Sequence, residues 1–299
     1  MPADRLAVCF LGVGAMGGPM ARHLAAAGYP VTVLDRDPER LATAVASGAR
    51  AAEDGPGAVR VADVVCTSLP SSESWVALAQ SLLLPNARPG KLFIDFGTGT
   101  PPETRRIGAA LAERGALLVD APVSGGPGGA EQARLRCFAG GDQDAFERAR
   151  PILETVCGAD GLTYCGPCGA GQVVKGVNQL AMGLGAAAYL EAVAFGVRAG
   201  VEPDVLGRAV GGEGEHWRAM LLQAARAARD GRAEQIGVKF RELPYYLAAA
   251  DAAGFGLPLT RALYEFCDAG ERVVTDDNRP APSFWHELTT GDKPKGSTD

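Results

Sequence analysis

The first half of the chain alternates short apolar runs with longer stretches in which apolar residues recur every three or four positions. Short runs without polar alternation are typical of parallel strands that are buried on both faces, and the longer recurrence predicts amphipathic helices. A helix is predicted at Met16–Ala27, and strands are predicted at Leu6–Leu11, Val31–Leu34, Val64–Leu69, Leu92–Ile94 and Leu117–Val119. This βαβ alternation predicts a parallel sheet with right-handed crossover connections.

The second half has a different pattern, in which helical stretches follow one another without apolar strand-like runs. A long proline-free run rich in Ala, Leu and Val predicts a long helix over Gln172–Ala199. Further helices, separated by glycine and proline, are predicted at Pro203–Val210, Glu215–Arg229, Glu242–Ala253 and Pro258–Ala269. We therefore expect an α/β domain over residues 1–166 and an all-helical domain over residues 167–299.

Composition and charge narrow the class of protein. Hydrophobic residues make up 47% of the 299 positions, charged residues make up 21%, and the net charge is −6 without any basic block. A nucleic-acid groove needs clustered Lys and Arg, so we expect no nucleic-acid partner. No run of about 18 apolar residues occurs and no charged segment precedes an apolar leader, so we expect no membrane span, no secretory signal and a cytoplasmic location.

The seven cysteines are scattered through the chain, and most of them lie in apolar runs. This pattern predicts small buried thiols in a reducing compartment. Cys165 and Cys168 have C-x-x-C spacing, but no second ligand pair accompanies them in the sequence. We therefore interpret them as structural and expect no metal.

The segment Gly12–Gly17 has the sequence Gly-Val-Gly-Ala-Met-Gly and joins the first predicted strand to the first predicted helix. In a G-x-G-x-x-G turn, the first glycine permits the tight turn, the second lets a pyrophosphate approach the backbone, and the third lets the helix pack against the strand. Free N–H groups at the helix start then face the phosphate charge. This predicts a Rossmann-type site in which the following residues bind a dinucleotide: Gly12, Gly14, Ala15, Met16 and Gly17.

Asp35 ends the second predicted strand, 18 residues after Gly17. A carboxylate at this offset accepts hydrogen bonds from ribose hydroxyls and repels a 2′-phosphate, which favours NAD. Arg36 follows directly and can pair with a 2′-phosphate, so NADP stays open. Leu69 and Pro70 end another predicted strand and are expected to line the same cofactor crevice.

Three further stretches carry a family resemblance: Asp120–Gly126 (Asp-Ala-Pro-Val-Ser-Gly-Gly), Gly166–Gln179 with its lysine at position 175, and Arg241–Leu243 (Arg-Glu-Leu) through Leu257–Thr260 (Leu-Pro-Leu-Thr). With the glycine-rich turn, they occur in the order and spacing of a known family. The sequence resembles the β-hydroxyacid dehydrogenase family, which includes 3-hydroxyisobutyrate dehydrogenase and tartronate semialdehyde reductase. It is also similar to the N-terminal two-thirds of 6-phosphogluconate dehydrogenase, but it is too short for that enzyme's extra helical domain.

Ser124, Gly125 and Gly126 follow an apolar strand-like run. A hydroxyl and two unobstructed glycine N–H groups can hold a carboxylate, and the resemblance assigns substrate binding to this loop.

Lys175 lies in the first turns of the long predicted helix, within an apolar stretch. Burial there is expected to lower the pKa of the amine toward working pH, as a proton shuttle requires. Asn178 and Gln179 follow on the same helical face, where their amides can orient the substrate oxygen. The resemblance assigns the proton-transfer role to Lys175, and the catalytic amide to the position of Gln179, where the family commonly has Asn.

Two departures from the family pattern bear on the cofactor and substrate sites. The family's Asp-x-Ser-Thr appears as Asp95–Thr98 (Asp-Phe-Gly-Thr), which leaves Thr98 as the hydroxyl expected beside the nicotinamide. The family's late Lys-Asp-Leu appears as Arg-Glu-Leu, so Arg241 takes the cofactor-binding position unless Lys239 replaces it. In addition, Ala133 stands where the family often has glycine.

Together these observations predict an NAD(P)-dependent oxidoreductase that interconverts a small β-hydroxy acid and its semialdehyde or keto form. The expected substrate bears a carboxylate, and the long apolar helix favours a homodimer or homotetramer. Two alternatives stay open: an imine reductase on the same scaffold, and a cofactor-binding module without catalytic activity.

Overall fold

The computed structural model describes residues 5–210, 226, 242–252, 254 and 256–266. The chain divides into two compact units, Met1–Gly176 and Val177–Asp299. The predicted domain boundary at residue 166 stays a prediction, and the predicted helix at 215–229 lies outside the described residues except for Arg226. In the part of the chain that the structure describes, no helix is long and apolar enough to cross a membrane.

The first unit is built on one sheet, in which the described residues form nine strands. The strands are β1 (Val8–Leu11), β2 (Val31–Leu34), β3 (Arg50–Ala51), β4 (Val64–Thr67), β5 (Leu92–Asp95), β6 (Leu117–Asp120), β7 (Val123–Ser124), β8 (Arg136–Gly140) and β9 (Leu162–Gly166). The first six strands are parallel and lie in the order β3-β2-β1-β4-β5-β6. This is the strand order of a doubly wound dinucleotide-binding sheet, so the predicted Rossmann-type fold is confirmed.

The sheet continues beyond β6 with strands that the apolar pattern did not predict. β8 is antiparallel to both β6 and β7, and β9 is parallel to β8 with an irregularity between Ala139 and Gly140. The expectation of a purely parallel sheet is therefore wrong at this edge.

Helices connect the strands of the first unit and make up the described part of the second. They are α1 (Gly17–Ala26), α2 (Pro38–Ala46), α3 (Gly55–Val61), α4 (Ser72–Leu78), α5 (Pro101–Ala112), α6 (Gly126–Glu131), α7 (Gln143–Cys157), α8 (Ala170–Arg198), α9 (Pro203–Val210), α10 (Leu243–Ala252) and α11 (Pro258–Phe266). The side chain of Asp37 caps α2 by accepting hydrogen bonds from two backbone N–H groups. The long helix predicted from Gln172 begins two residues earlier, at Ala170.

The core of the first unit lies on both faces of the sheet. Neighbouring residues of β1 enter different hydrophobic clusters: Phe10 packs in one cluster with Met20 of α1, and Leu11 lies in the other with Ile107 of α5. All four residues of β1 are buried, as expected for a strand that is covered by helices on both faces. The carboxyl ends of these strands therefore form the accessible edge at which a ligand can meet the sheet.

Candidate functional site

The glycine-rich turn between β1 and α1 is packed so closely that two of its positions admit only glycine. Gly12 has a φ of +89°, and a Cβ there would lie 2.4 Å from the Ser68 carbonyl oxygen. A Cβ on Gly17 would lie 2.0 Å from the Gly12 carbonyl oxygen. At Gly14 a Cβ would instead meet a guanidinium nitrogen of Arg40 at 3.2 Å, so a positive charge lies beside the turn. Bare backbone next to a cation suits a pyrophosphate.

Asp35, directly after β2, is joined to the glycine-rich turn by its side chain. Its carboxylate accepts a hydrogen bond of 2.8 Å from the Val13 N–H and one of 2.9 Å from the Asp37 N–H. Each carboxylate oxygen keeps a further lone pair for a ribose hydroxyl. Arg36 is exposed, and Arg40 forms an ion pair of 3.1 Å with Asp37. The structure thus brings the Asp35 carboxylate and the Arg40 guanidinium to the glycine-rich turn.

The other cofactor candidates follow the ends of neighbouring strands. Leu69 comes after β4, and its side chain would lie 3.1 Å from a Cβ on Gly12, while Pro70 beside it is exposed. Thr98 follows β5 and is half-buried. Within the turn itself, Ala15 is exposed and Met16 packs on the core. Arg241 lies outside the described residues.

The serine–glycine loop and Lys175 meet in the first unit. Ser124 is the last residue of β7, Gly125 has a φ of +135°, and Gly126 has a φ of +63° with open space, since no atom would lie within 4 Å of a Cβ there. Lys175 on α8 is 4% exposed, and its ammonium group donates a hydrogen bond of 2.7 Å to the Val123 carbonyl. The sequence predicts these groups separately, and the fold places the amine beside the loop.

Asn178 and Gln179 belong to the second unit and continue α8 beyond Lys175. Gln179 is 7% exposed, and its side-chain oxygen accepts a hydrogen bond from the hydroxyl of Tyr246 on α10. Asn178 is half-buried, and its amide contacts the sulfur of Met182 at 3.6 Å. Tyr246 was not among the candidates, because its spacing from Gln179 along the chain carries no local signal.

Two buried carboxylates end the neighbouring strands β5 and β6. Burial raises the pKa of Asp95 to about 7, although the Thr67 hydroxyl and the Gly97 N–H donate to it. Burial also raises the pKa of Asp120 to about 6, against hydrogen bonds from the N–H groups of Gly169 and Gln172. Perturbed carboxylates of this kind cluster at functional sites.

A second buried lysine, Lys91, has a structural role. Lys91 lies directly before β5, at the amino ends of the parallel strands. Its ammonium group donates to carbonyl oxygens at the end of α3, including that of Ala62 at 2.6 Å. Burial lowers its pKa to about 8. Its donors are used to close a helix, so it caps α3.

The C-x-x-C pair has the environment of ordinary thiols. Burial raises the pKa of Cys165 to about 11 and that of Cys168 to about 12. A reactive or ligating cysteine needs a lowered pKa, which neither thiol has. Among the residues that the structure describes, no group of three or more His, Cys, Asp or Glu side chains is arranged to hold a metal ion.

Family models match nearly the whole chain. The NAD binding domain of 6-phosphogluconate dehydrogenase matches residues 7–166, and the NAD-binding domain of NADP-dependent 3-hydroxyisobutyrate dehydrogenase matches residues 169–279. The chain belongs to the β-hydroxyacid dehydrogenase family. The resemblance that the sequence motifs indicated is therefore confirmed, as is the assignment to NAD(P)-dependent dehydrogenases.

Individual members of this family are similar over most of their length. A 3-hydroxyisobutyrate dehydrogenase of Pseudomonas aeruginosa is 35% identical over 84% of this chain and 88% of its own. An NAD-dependent L-serine dehydrogenase of the same organism is 40% identical over 67% of each chain. The solved structure of Mycobacterium tuberculosis 3-hydroxyisobutyrate dehydrogenase with L-serine has 30% identity and a TM-score of 0.79, covering 95% of this chain and 99% of that one.

Proposed function

We propose that this β-hydroxyacid dehydrogenase oxidises a small β-hydroxy acid to its semialdehyde or keto form, and catalyses the reverse reduction, with Lys175 as the proton-transfer group. One observation carries the proposal: the Lys175 ammonium group is buried and donates to the Val123 carbonyl, directly before Ser124. In its neutral form an amine beside a carboxylate-binding loop can take the proton of the substrate hydroxyl during oxidation, and as ammonium it can return that proton during reduction.

The loop after β7 is the proposed carboxylate site. Ser124 offers a hydroxyl, and the N–H groups of Gly125 and Gly126 carry no side chain that would obstruct a ligand. The open space at Gly126 supports this assignment. Asn178 and Gln179, three and four residues after Lys175 on the same helix, are proposed to orient the substrate oxygen with their amides.

The residues around the glycine-rich turn fit a nicotinamide dinucleotide. Gly12, Gly14 and Gly17, with Ala15 and Met16 between them, would hold the pyrophosphate, and the close packing of the turn supports this. The loops carrying Leu69, Pro70 and Thr98 are proposed to border the cofactor, with Arg241 as a further contact. When bound, the nicotinamide supplies the hydride acceptor or donor.

We propose NAD as the preferred cofactor. The Asp35 carboxylate is fixed by two backbone N–H groups beside the turn, where it can accept from ribose hydroxyls and would repel a 2′-phosphate. Arg36 and Arg40 nearby supply positive charge that would favour NADP, so the preference is a balance between these side chains.

The substrates of the related dehydrogenases support the proposed substrate class. The 3-hydroxyisobutyrate and L-serine dehydrogenases act on small acids that carry a hydroxyl on the β-carbon. We accordingly propose a substrate of this size with a free carboxylate.

The decisive experiment replaces Lys175 and follows reduced cofactor by its absorbance. Wild type, Lys175→Met and Lys175→Arg are assayed with L-serine and 3-hydroxyisobutyrate, each with NAD and with NADP, beside cyclic imines with reduced cofactor. Because general acid–base catalysis contributes about 10²–10⁴-fold, both variants should lose that much kcat while still binding NADH. The arginine variant is the control for charge, since it stays protonated and cannot transfer the proton.

The other outcomes have separate meanings. Full turnover by Lys175→Met would remove the lysine from the mechanism. Turnover of imines and not of hydroxy acids would make the protein an imine reductase, and cofactor binding without any turnover would make it a non-catalytic module.

We further propose a cytoplasmic homodimer or homotetramer. Val177 and Met182 on α8 are each 62% exposed, and apolar side chains of this kind are often covered by a partner subunit. The described cysteines are free thiols, which suits a reducing compartment. A monomer in sedimentation equilibrium would contradict the assembly.

A further inference from the structure

We propose that Gln172 is a positioning residue, which holds the loop carrying Thr98 at a fixed distance from Lys175. The inference rests on the proposed function, because it concerns how the proton-transfer lysine is aligned with the loop expected beside the nicotinamide. It depends only on residues of the first unit.

Gln172 bridges α8 to the loop after β5 by two hydrogen bonds. Its side-chain nitrogen donates to the Gly97 carbonyl at 2.9 Å, and its side-chain oxygen accepts from the Gly99 N–H, also at 2.9 Å. The residue is fully buried at 0% exposure, so water does not compete for these groups. The two bonds enclose Thr98, and they fix both sides of that residue relative to the helix.

The other end of the contact is rigid, because Asp120 and two glycines anchor the first turn of α8. The Asp120 carboxylate accepts from the Gly169 N–H at 2.7 Å and from the Gln172 N–H at 3.0 Å. A Cβ on Gly171 would lie 2.2 Å from the Phe138 carbonyl oxygen, so the backbone of the turn touches the backbone of the sheet. This close packing therefore fixes the position of the first turn of α8 relative to the sheet.

Lys175 follows Gln172 by three residues, which is about 4.5 Å along the axis of an α-helix. Its ammonium group is held in turn by the Val123 carbonyl. Any shift of the loop at Gly97–Gly99 relative to α8 would change the distance from Thr98 to the amine. Gln172 is the side chain that joins the two, so its loss should disturb alignment without removing a reacting group.

The test compares Gln172→Met, Gln172→Asn and wild type. Methionine has a similar length and makes neither hydrogen bond, whereas asparagine keeps the amide but is too short to reach both partners. Gln143→Met is the matched control, because Gln143 is exposed on α7 and its side-chain nitrogen donates to Glu147 on the same helix. Measurements are kcat, KM for NAD and thermal unfolding, with L-serine or 3-hydroxyisobutyrate, whichever wild type oxidises faster. The same substrate deuterated at the hydroxyl-bearing carbon gives the isotope effect on kcat.

Misplacement of about 1 Å can cost 10²-fold in rate, so Gln172→Met should lower kcat about 10- to 100-fold and raise the isotope effect. KM for NAD should stay within about threefold, Gln172→Asn should be intermediate, and Gln143→Met should match wild type. A kcat within threefold of wild type, or a fall in kcat with an unchanged isotope effect, overturns the inference. Failure of both Gln172 variants to fold would also overturn it, since the residue would then serve stability alone.

The failure of the proposed function gives a different result. Wild type would then oxidise neither acid with NAD or NADP, whatever residue stands at 172. In that case amide hydrogen exchange decides whether the contact exists: Gln172→Met should speed exchange at the Gly99 N–H, and unchanged exchange overturns the bridge.

Discussion

Ionisation of Asp95 should make the free energy of unfolding fall as pH rises, and Asp95→Asn should remove this part of the pH dependence. The side chain is 2% exposed, and burial raises its pKa from 3.8 to about 7. Between these values the folded state keeps a proton that the unfolded state has released. The stabilisation is therefore complete below about pH 4 and is lost as pH rises through 7. Three pKa units at about 1.4 kcal/mol each give a total of roughly 4 kcal/mol.

Urea unfolding followed by circular dichroism at pH 5 to 8 measures this effect. Asparagine keeps an oxygen for the Thr67 hydroxyl and the Gly97 N–H but does not ionise. The free energy of the Asp95→Asn variant relative to wild type should rise by about 3 kcal/mol over this interval. Gly128→Ala, which changes no ionisable group and places a Cβ where nothing lies within 4 Å, should give a flat difference. A flat difference for Asp95→Asn as well would refute the reasoning, because the carboxyl group would then titrate as it does in water.

Two backbone predictions follow from conformation and close packing. Ala133 has a φ of +50°, in the left-handed region that costs an L-residue about 1–2 kcal/mol. Ala133→Gly should therefore raise the free energy of unfolding, measured in urea, by about 1 kcal/mol. A destabilised variant would contradict this. Gly171→Ala should lower the melting temperature by several degrees and reduce turnover at least about tenfold, because its Cβ would lie 2.2 Å from the Phe138 carbonyl oxygen and push α8 away from the sheet. Gly128→Ala, where nothing lies within 4 Å, is the control and should change neither quantity.

The strand bounds that the sequence predicts best are those marked by a proline or a polar residue next to the apolar run. β2 has the predicted bounds, because Pro30 precedes its apolar run and Asp35 follows it. The sequence pattern does not predict β8 and β9, since neither is a continuous apolar run: Arg136 begins β8, and the exposed Tyr164 lies in β9. Their extended conformation comes from pairing with neighbouring strands, which a local pattern does not contain.

The parts of the candidate site also differ in whether they depend on a local motif or on contacts between distant segments. The glycine-rich turn and the Lys175 segment are short motifs in which each residue type has a local physical reason. The contacts of Gln172 reach across 75 and 73 positions, and those of Asp120 across 49 and 52. Their spacing predicts nothing until the fold brings the strand ends together. Ala133 lies between these cases: its departure from glycine was visible in the sequence, and the positive φ supplies the reason that glycine is usual there.

The positions of the buried ionisable groups in the first unit support a reaction site at the carboxyl ends of the parallel strands. Among its described residues, Asp95, Asp120 and Lys175 are each at most 4% exposed and lie at or beyond the carboxyl ends of β5 and β6. Removing ionisable groups from water costs stability unless they are hydrogen-bonded, and even then a hydrophobic replacement is often as stable. Lys91 at the opposite edge is fully engaged in capping α3. The Asp120 carboxylate accepts hydrogen bonds from two N–H groups at the start of α8 and so anchors the helix that carries Lys175. We propose that the amine of Lys175 is buried beside the Ser124–Gly126 loop for proton transfer, since the burial of an ionisable group contributes little to stability by itself.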